Sequence, residues 1–150
     1  MIQLQDLAKR LPEKWIQEKG TGFAAKYCSH GDIQQLLLAK LGPTSQRVVK
    51  IIYNTEGNMI QGVILEMRFY IDLEQVVIEE IGECERPTEN NALNLKNAIS
   101  DAVKRCCMRV GLGLELWATE HYALDKALAK RAEEQEDLEL LTSIRELEAE

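Results

Sequence analysis

NALNLKNAISDAVKRCCMRVGLG, Asn91 to Gly113, is the stretch around which the chain is organised. Its periodicity predicts one amphipathic helix. Ile99, Ala102, Val103, Cys106 and Val110 recur at three- and four-residue steps and so share a face. Lys104, Arg105 and Arg109 fall on the other side of the wheel. Gly111 and Gly113 follow the last periodic position, where a helix tends to stop. One face can pack on a sheet while the other carries fixed cations.

Upstream the period changes from near 3.6 to 2. Arg47 to Tyr53 is rich in β-branched residues, and Asn54 to Asn58 is a hairpin-type turn. Met59 to Leu73 reads as a long strand, with Val63, Leu65, Met67, Phe69 and Ile71 on one face. Ile64, Glu66, Arg68 and Tyr70 take the other. Leu73 to Gln75 is a weaker turn, and Gln75 to Gly82 a third strand. Short connections make an antiparallel meander the economical arrangement, and a sheet this small needs one face covered. The predicted fold class is therefore α+β: a three-stranded antiparallel meander packed on a long helix. The Pro87 loop joins sheet to helix, with Thr88 or Asn90 as the helix cap.

Ahead of this core, Ile2, Leu4, Leu7 and Leu11 suggest a short first helix that Pro12 limits. Trp15 and Ile16 lead into a Gly-rich connection. Phe23 to Ser29 alternates as a short strand, and a second helix follows from Gly31 or Asp32 to Leu41, with Asp32 as its cap or first-turn acid, ended by Gly42-Pro43. Behind the core, Leu114, Leu116 and Trp117 are expected to dock back on it. Tyr122 to Glu150 is helical in propensity, with a thin stripe of Leu138, Leu141, Ile144 and Leu147. The expected organisation is a core domain, residues 1–122, and an acidic helical arm, 123–150.

A length of 150 residues suits one core. No run of ~18 apolar residues occurs, so no membrane span is expected. The N-terminal residues show no apolar stretch of signal-peptide length. Cys28, Cys84, Cys106 and Cys107 form no pair of CxxC motifs and only two histidines are present, so no metal is expected and reduced thiols are. Cytosolic placement in a bacterium or an infected host fits this, as does a mitochondrial matrix. The net charge of −7 argues at first against a nucleic-acid partner, but residues 131–150 alone hold eight acids and two bases. The rest is close to neutral. Local clustering then decides binding, because salt screens charges more than about 10 Å apart.

Enzyme signals are absent: no Walker lysine, HExxH or GxSxG motif occurs. Glu66, Glu79 and Glu80 are of the type that pairs on strands to hold a nuclease metal, but no Glu-x-Lys accompanies them. Solvated strand charges, or ion pairs with Arg68 and Lys50, account for them more simply. Lys104 and Arg105, with Arg109 one turn on, could neutralise phosphates. A solvated helix face gives the same pattern, and Asp101 sits i,i+4 from Arg105 as a competing partner. Spacing alone leaves both open.

The segment IGECERPTENNALNLKNAISDAVKRCCMRVGLGLELW, 81–117, resembles the signature of the Rad-fifty-two-type single-strand annealing proteins, a family that includes phage recombinases and mitochondrial genome-maintenance members. The match lies in Glu80-Ile81-Gly82, in the helix core Ala98 to Arg105, and in Gly111; Tyr27 to Ile33 resembles the family's N-terminal strand and helix. It spans roughly residues 11–118. The resemblance implies a β-β-β-α core, no cofactor and no catalysis. It implies a homo-oligomeric ring or helical filament that anneals complementary single-stranded DNA without ATP in recombination and repair. A single-strand-binding protein is a further candidate partner. Lys104 and Arg105 would hold the DNA backbone. Lys19 matches a further backbone-binding cation, and Arg109 and Lys96 complete the candidate set. The family's cation four residues after the helix lysine is Met108 here. Aromatics are scarce, so extensive base stacking is not expected, and both tryptophans read as core or interface residues. The alternatives are a double-stranded-RNA-binding type of module and a non-catalytic oligomeric scaffold.

Overall fold

The structure, a computed structural model, describes the backbone of residues 4–19, 25–118 and 121–148, and the side chains of 6–18, 26–118 and 121–146. Ile2 and Phe23 lie outside the described residues, and the side chains of Leu4, Lys19 and Leu147 do too. The elements in order are α1 (Leu4–Ala8), a 3-10 turn (Glu13–Trp15), β1 (Ile16–Lys19), β2 (Ala25–Cys28), α2 (His30–Leu41), β3 (Ser45–Tyr53), β4 (Ile60–Ile71), β5 (Glu74–Glu83), α3 (Asn91–Arg109), α4 (Glu115–Ala118) and α5 (Leu124–Glu148). The fold is α+β. β3, β4 and β5 form an antiparallel meander, and α3 packs across β4 and β5.

The period-2 alternation of β4 explains the packing. Val63, Leu65, Met67 and Phe69 are buried beneath α3, which contributes Ala98, Ala102, Val103, Cys106 and Cys107 to the same core. Burying a side chain of this size contributes about 1.5–3 kcal/mol. Helix and sheet approach closely because β5 carries Gly82 at the contact. A Cβ there would overlap the Ala98 carbonyl oxygen and lie 2.6 Å from the Ala102 Cβ.

Asparagines set the register between α3 and the sheet. Asn90 caps α3 by accepting from the Leu93 N–H at 3.1 Å. Asn91 Oδ1 accepts from the Ile60 N–H at 2.9 Å, and its Nδ2 donates to the Asn58 carbonyl at 2.9 Å. Asn94, fully buried, accepts from the Thr88 N–H at 2.8 Å and donates to the Thr88 carbonyl at 2.7 Å. The Pro87 loop is thereby folded back on the helix. At the other end, Gly111 adopts φ 98°. Its N–H donates to the Met108 carbonyl at 2.9 Å and the Leu112 N–H to the Cys107 carbonyl at 3.1 Å. This is the paired bonding of a Schellman stop.

Two local expectations differ from the structure, and one open alternative, at Asp32, is decided by it. β1 and β2 pair as an antiparallel hairpin, Ile16 opposite Cys28, where the sequence reading assigns no strand to Ile16–Lys19 and starts a Gly-rich connection at Lys19. Four residues ending in Glu18-Lys19 are too few and too polar to show a strand period. The α2 cap is Ser29, whose Oγ accepts from the Asp32 N–H at 3.1 Å; Asp32 is the first-turn acid. The β4–β5 turn is Asp72-Leu73, not Leu73 to Gln75, and both residues have positive φ, 51° and 70°. Left-handed φ at both central positions defines the tight hairpin turn that normally takes Asn-Gly. Leu73 is 96% exposed, so its side chain gains nothing in return. Leu73→Gly is expected to raise the melting temperature by about 2 °C, the net of relieved backbone strain and added chain entropy; thermal unfolding followed by circular dichroism checks this.

The arm is tied to the front of the chain by Arg10. Its Nη2 donates to the Tyr122 carbonyl at 2.8 Å, its Nε meets Asp125 Oδ2 at 3.3 Å, and its guanidinium lies over the Tyr122 ring. The Tyr122 hydroxyl donates to the Ala8 carbonyl, and buried Glu115 accepts from the Leu11 N–H. Further along α5, Leu138, Leu141 and Ile144 are exposed.

All four cysteines are free and buried. Burial pushes the Cys106 thiol up to about 11 and the Cys107 thiol up to about 12. No helix among the described residues is long and apolar enough to cross a membrane.

Candidate nucleic-acid interface

α3 turns its charged edge toward a cleft of about 560 Å3 walled by β2, the loop after β5, and the segment from Leu112 to Trp117. Lys104 and Arg105 both line it, with Lys26, Tyr27, Arg86 and Trp117 around them. Separate elements bring these side chains together. β2 delivers Lys26 and Tyr27, and the Asn94-braced loop delivers Arg86. The Schellman stop reverses the chain so that α4 returns Trp117 to the helix it has just left.

The cations of the cleft are not equivalent. Lys104 is half-buried and, like exposed Lys26 and Arg86, has no ion-pair partner among the described residues. Arg105 is engaged. Its Nε donates to Asp101 Oδ2 at 2.9 Å, and its guanidinium carbon lies 4.7 Å from the centroid of the Trp117 ring. The i,i+4 competition legible in the sequence is therefore realised. Glu83 and Glu85 also line the cleft, so its charge is mixed and its binding would be salt-sensitive.

Lys104 shapes its surroundings electrostatically. His30, at the start of α2, has its pKa lowered by burial first and then by the Lys104 charge, and its buried Nδ1 has no hydrogen-bond partner among the described residues. Burial raises the Cys28 thiol, Asp32 raises it further, and Lys104 works against that rise. With His30 held neutral, Lys104 is the cation of this wall.

The other candidate cations lie elsewhere. Arg109 pairs with Glu80 Oε2 at 2.7 Å across the α3–β5 contact and does not line the cleft. Lys96 is exposed near the start of α3 and is not part of the cleft lining. Lys19 ends β1, and its side chain lies outside the described residues. On the far face of the sheet Glu66 bridges Arg68 at 2.7 Å and Arg47 at 3.1 Å, so the Arg68 pair is present and Arg47 takes the place that the sequence reading gives to Lys50. Those two arginines hold the Glu66 carboxyl below its usual pKa range. Among the described residues no group of three or more His, Cys, Asp or Glu could hold a metal ion.

Trp15 is half-buried against the core, in line with the sequence reading, but Trp117 is 44% exposed and belongs to the cleft. Sequence reasoning also missed Lys26 and Arg86. The signals were slight: Lys26 stands beside Tyr27, where one segment resembling the annealing proteins starts, and Arg86 lies inside the other, 81–117, with nothing to set it apart. The chain matches no protein-family model, and a search of curated proteins finds no match.

Proposed function

We propose that the protein binds single-stranded DNA along the Lys104 cleft and anneals complementary strands without ATP, as a homo-oligomeric ring or filament serving recombination and repair. The observation that carries this reading is Lys104. It is a lysine with no ion-pair partner among the described residues, sharing one cleft with two further unpaired cations from separate elements. A strand lying in the cleft would bring phosphates to cations that no carboxylate already holds, and neutralising phosphates releases counterions. The similarity of the segment 81–117 to annealing proteins supports the same reading.

One subunit offers only a few phosphate contacts, each weak and screened by salt. Repeating the cleft around an oligomer raises effective concentration along one strand. Phosphate contacts carry no base information, so binding is independent of sequence. With the backbone held and pairing edges free, a second strand can test complementarity, and duplex formation supplies the driving force. No side chain needs to make or break a covalent bond, and the protein acts as a binding module, not an enzyme.

The test mixes two complementary ~40-nucleotide strands, one carrying a fluorophore and the other a quencher, without nucleotide cofactor. The protein is expected to accelerate quenching severalfold at low salt, and to lose that effect as salt neutralises the phosphate contacts. An unchanged annealing rate, with stronger binding to duplex RNA than to single-stranded DNA, would favour the double-stranded-RNA module instead. Binding to neither would leave the scaffold.

A further inference from the structure

Trp117 and Arg105 form a flat, braced surface inside the Lys104 cleft, and the phosphate reading gives that surface no task. We infer that this pair is a stacking platform that takes one base of the bound strand in each subunit. The inference rests on the single-strand reading above and adds to it a contact with the base as well as with phosphate.

Three observations carry it. The Arg105 guanidinium is held in place twice, by its bond to Asp101 and by its position over the indole ring. Asp101 already neutralises its charge, so Arg105 serves poorly as a free phosphate hook and well as one layer of a stack. With Arg105 over the ring, Trp117 still exposes 44% of its surface, enough to receive a second plane.

The cleft itself fits a nucleotide. Its volume of about 560 Å3 falls within the ~300–1,000 Å3 of small-molecule sites. Half-buried Leu116 gives it an apolar contact for a heterocycle, while Lys26, Arg86 and Lys104 stand around it for the phosphates. Tyr27 adds a second aromatic wall, its hydroxyl tied to Gln17 Oε1 at 2.6 Å. Stacking uses the face of a base and leaves its Watson–Crick edge available, so it is compatible with annealing. Every base has a π face, so the contact adds affinity without adding sequence preference.

The experiment compares a ~30-nucleotide oligo(dT) with an abasic strand of the same length and charge, by fluorescence anisotropy at low salt. The wild type is expected to bind oligo(dT) about tenfold more tightly than the abasic strand, the gain that stacked bases give. Trp117→Ala is expected to bring oligo(dT) down to the abasic affinity while leaving the abasic affinity itself unchanged, and Trp117→Phe to keep most of the difference. A Trp117→Ala protein that still prefers oligo(dT), or a wild type that does not discriminate, overturns the platform and leaves phosphate binding standing. If the wild type binds neither strand, the single-strand reading fails and the platform with it. A readout without truncation uses Trp15→Phe, in which Trp117 is the remaining tryptophan. Its emission should be quenched by oligo(dT) and not by the abasic strand; unchanged emission with both, under conditions where both bind, also overturns the inference.

Discussion

Lys104→Ala combined with Arg105→Ala is expected to weaken binding to single-stranded DNA by tenfold or more at low salt, while the protein stays folded. The magnitude follows from the cleft. Lys104 is the unpaired half-buried cation at its wall, and giving up the phosphate it would hold costs roughly 1 kcal/mol or more per engaged subunit. Removing Arg105 acts differently. It leaves Asp101 unpaired inside the cleft, so the phosphates meet an added negative charge. The slope of log affinity against log salt should fall by about one for each phosphate no longer neutralised. Arg109→Ala is the informative control. Arg109 is spent on Glu80 and stands outside the cleft, so its loss should leave DNA affinity nearly unchanged. Oligonucleotide titrations at several salt concentrations, with melting temperatures recorded for each variant, check all of these outcomes.

Gly82→Ala is expected to be the most damaging small substitution in the protein, costing about 3 kcal/mol or more. Overpacking a core usually costs about 1–3 kcal/mol because side chains can shift to new rotamers. Here the added methyl meets the Ala98 carbonyl oxygen and the Ala102 backbone nitrogen, the latter at 2.6 Å, and backbone has no rotamer to change. α3 would have to lift from β5, opening the layer that Ala98, Ala102 and Cys106 now fill against the sheet. Urea denaturation should show the midpoint falling steeply for Gly82→Ala. Gly42→Ala makes the contrast. Gly42 also lacks a side chain, but nothing lies within 4 Å of a Cβ built there, and only its positive φ of 76° opposes the change. With ψ at −164° this is backbone that glycine alone adopts readily, so the substitution should cost about 1–3 kcal/mol, from local strain and not from a lifted helix.

How much of this was legible in the sequence depends on the range of the interaction involved. The switch of period between Leu41 and Arg47 exposed the meander, and the steps from Ile99 to Val110 exposed its covering helix. Both are properties of one segment read alone. The left-handed Gly111 was legible for the same reason. The Asp72-Leu73 turn was displaced because it lacks the Gly or Asn that usually announces positive φ. Gly82 stood out only as part of the Glu80-Ile81-Gly82 match, and its packing role was hidden, since a strand glycine reads as a weak point until the helix above it is placed. The cleft was half legible. The wheel of α3 put Lys104 and Arg105 on one side but could not say that Asp101 would hold Arg105 while Lys104 went unpaired. Lys26, Arg86 and Trp117 meet these residues only through tertiary folding. Of the two places the reading gave the tryptophans, the core does not hold for Trp117, because its environment is made by a chain reversal that composition does not reveal.

If single-stranded DNA lies against Lys104, lysine footprinting will register it there. Amine acylation with and without a ~30-nucleotide oligo(dT), read residue by residue by mass spectrometry, reports which lysines the strand covers. Lys26 and Lys104 are expected to be protected, while Lys50 on the far face of the sheet and Lys96 near the start of α3 stay as reactive as before. Protection of Lys50 or Lys96 with Lys26 and Lys104 unaffected would contradict the account.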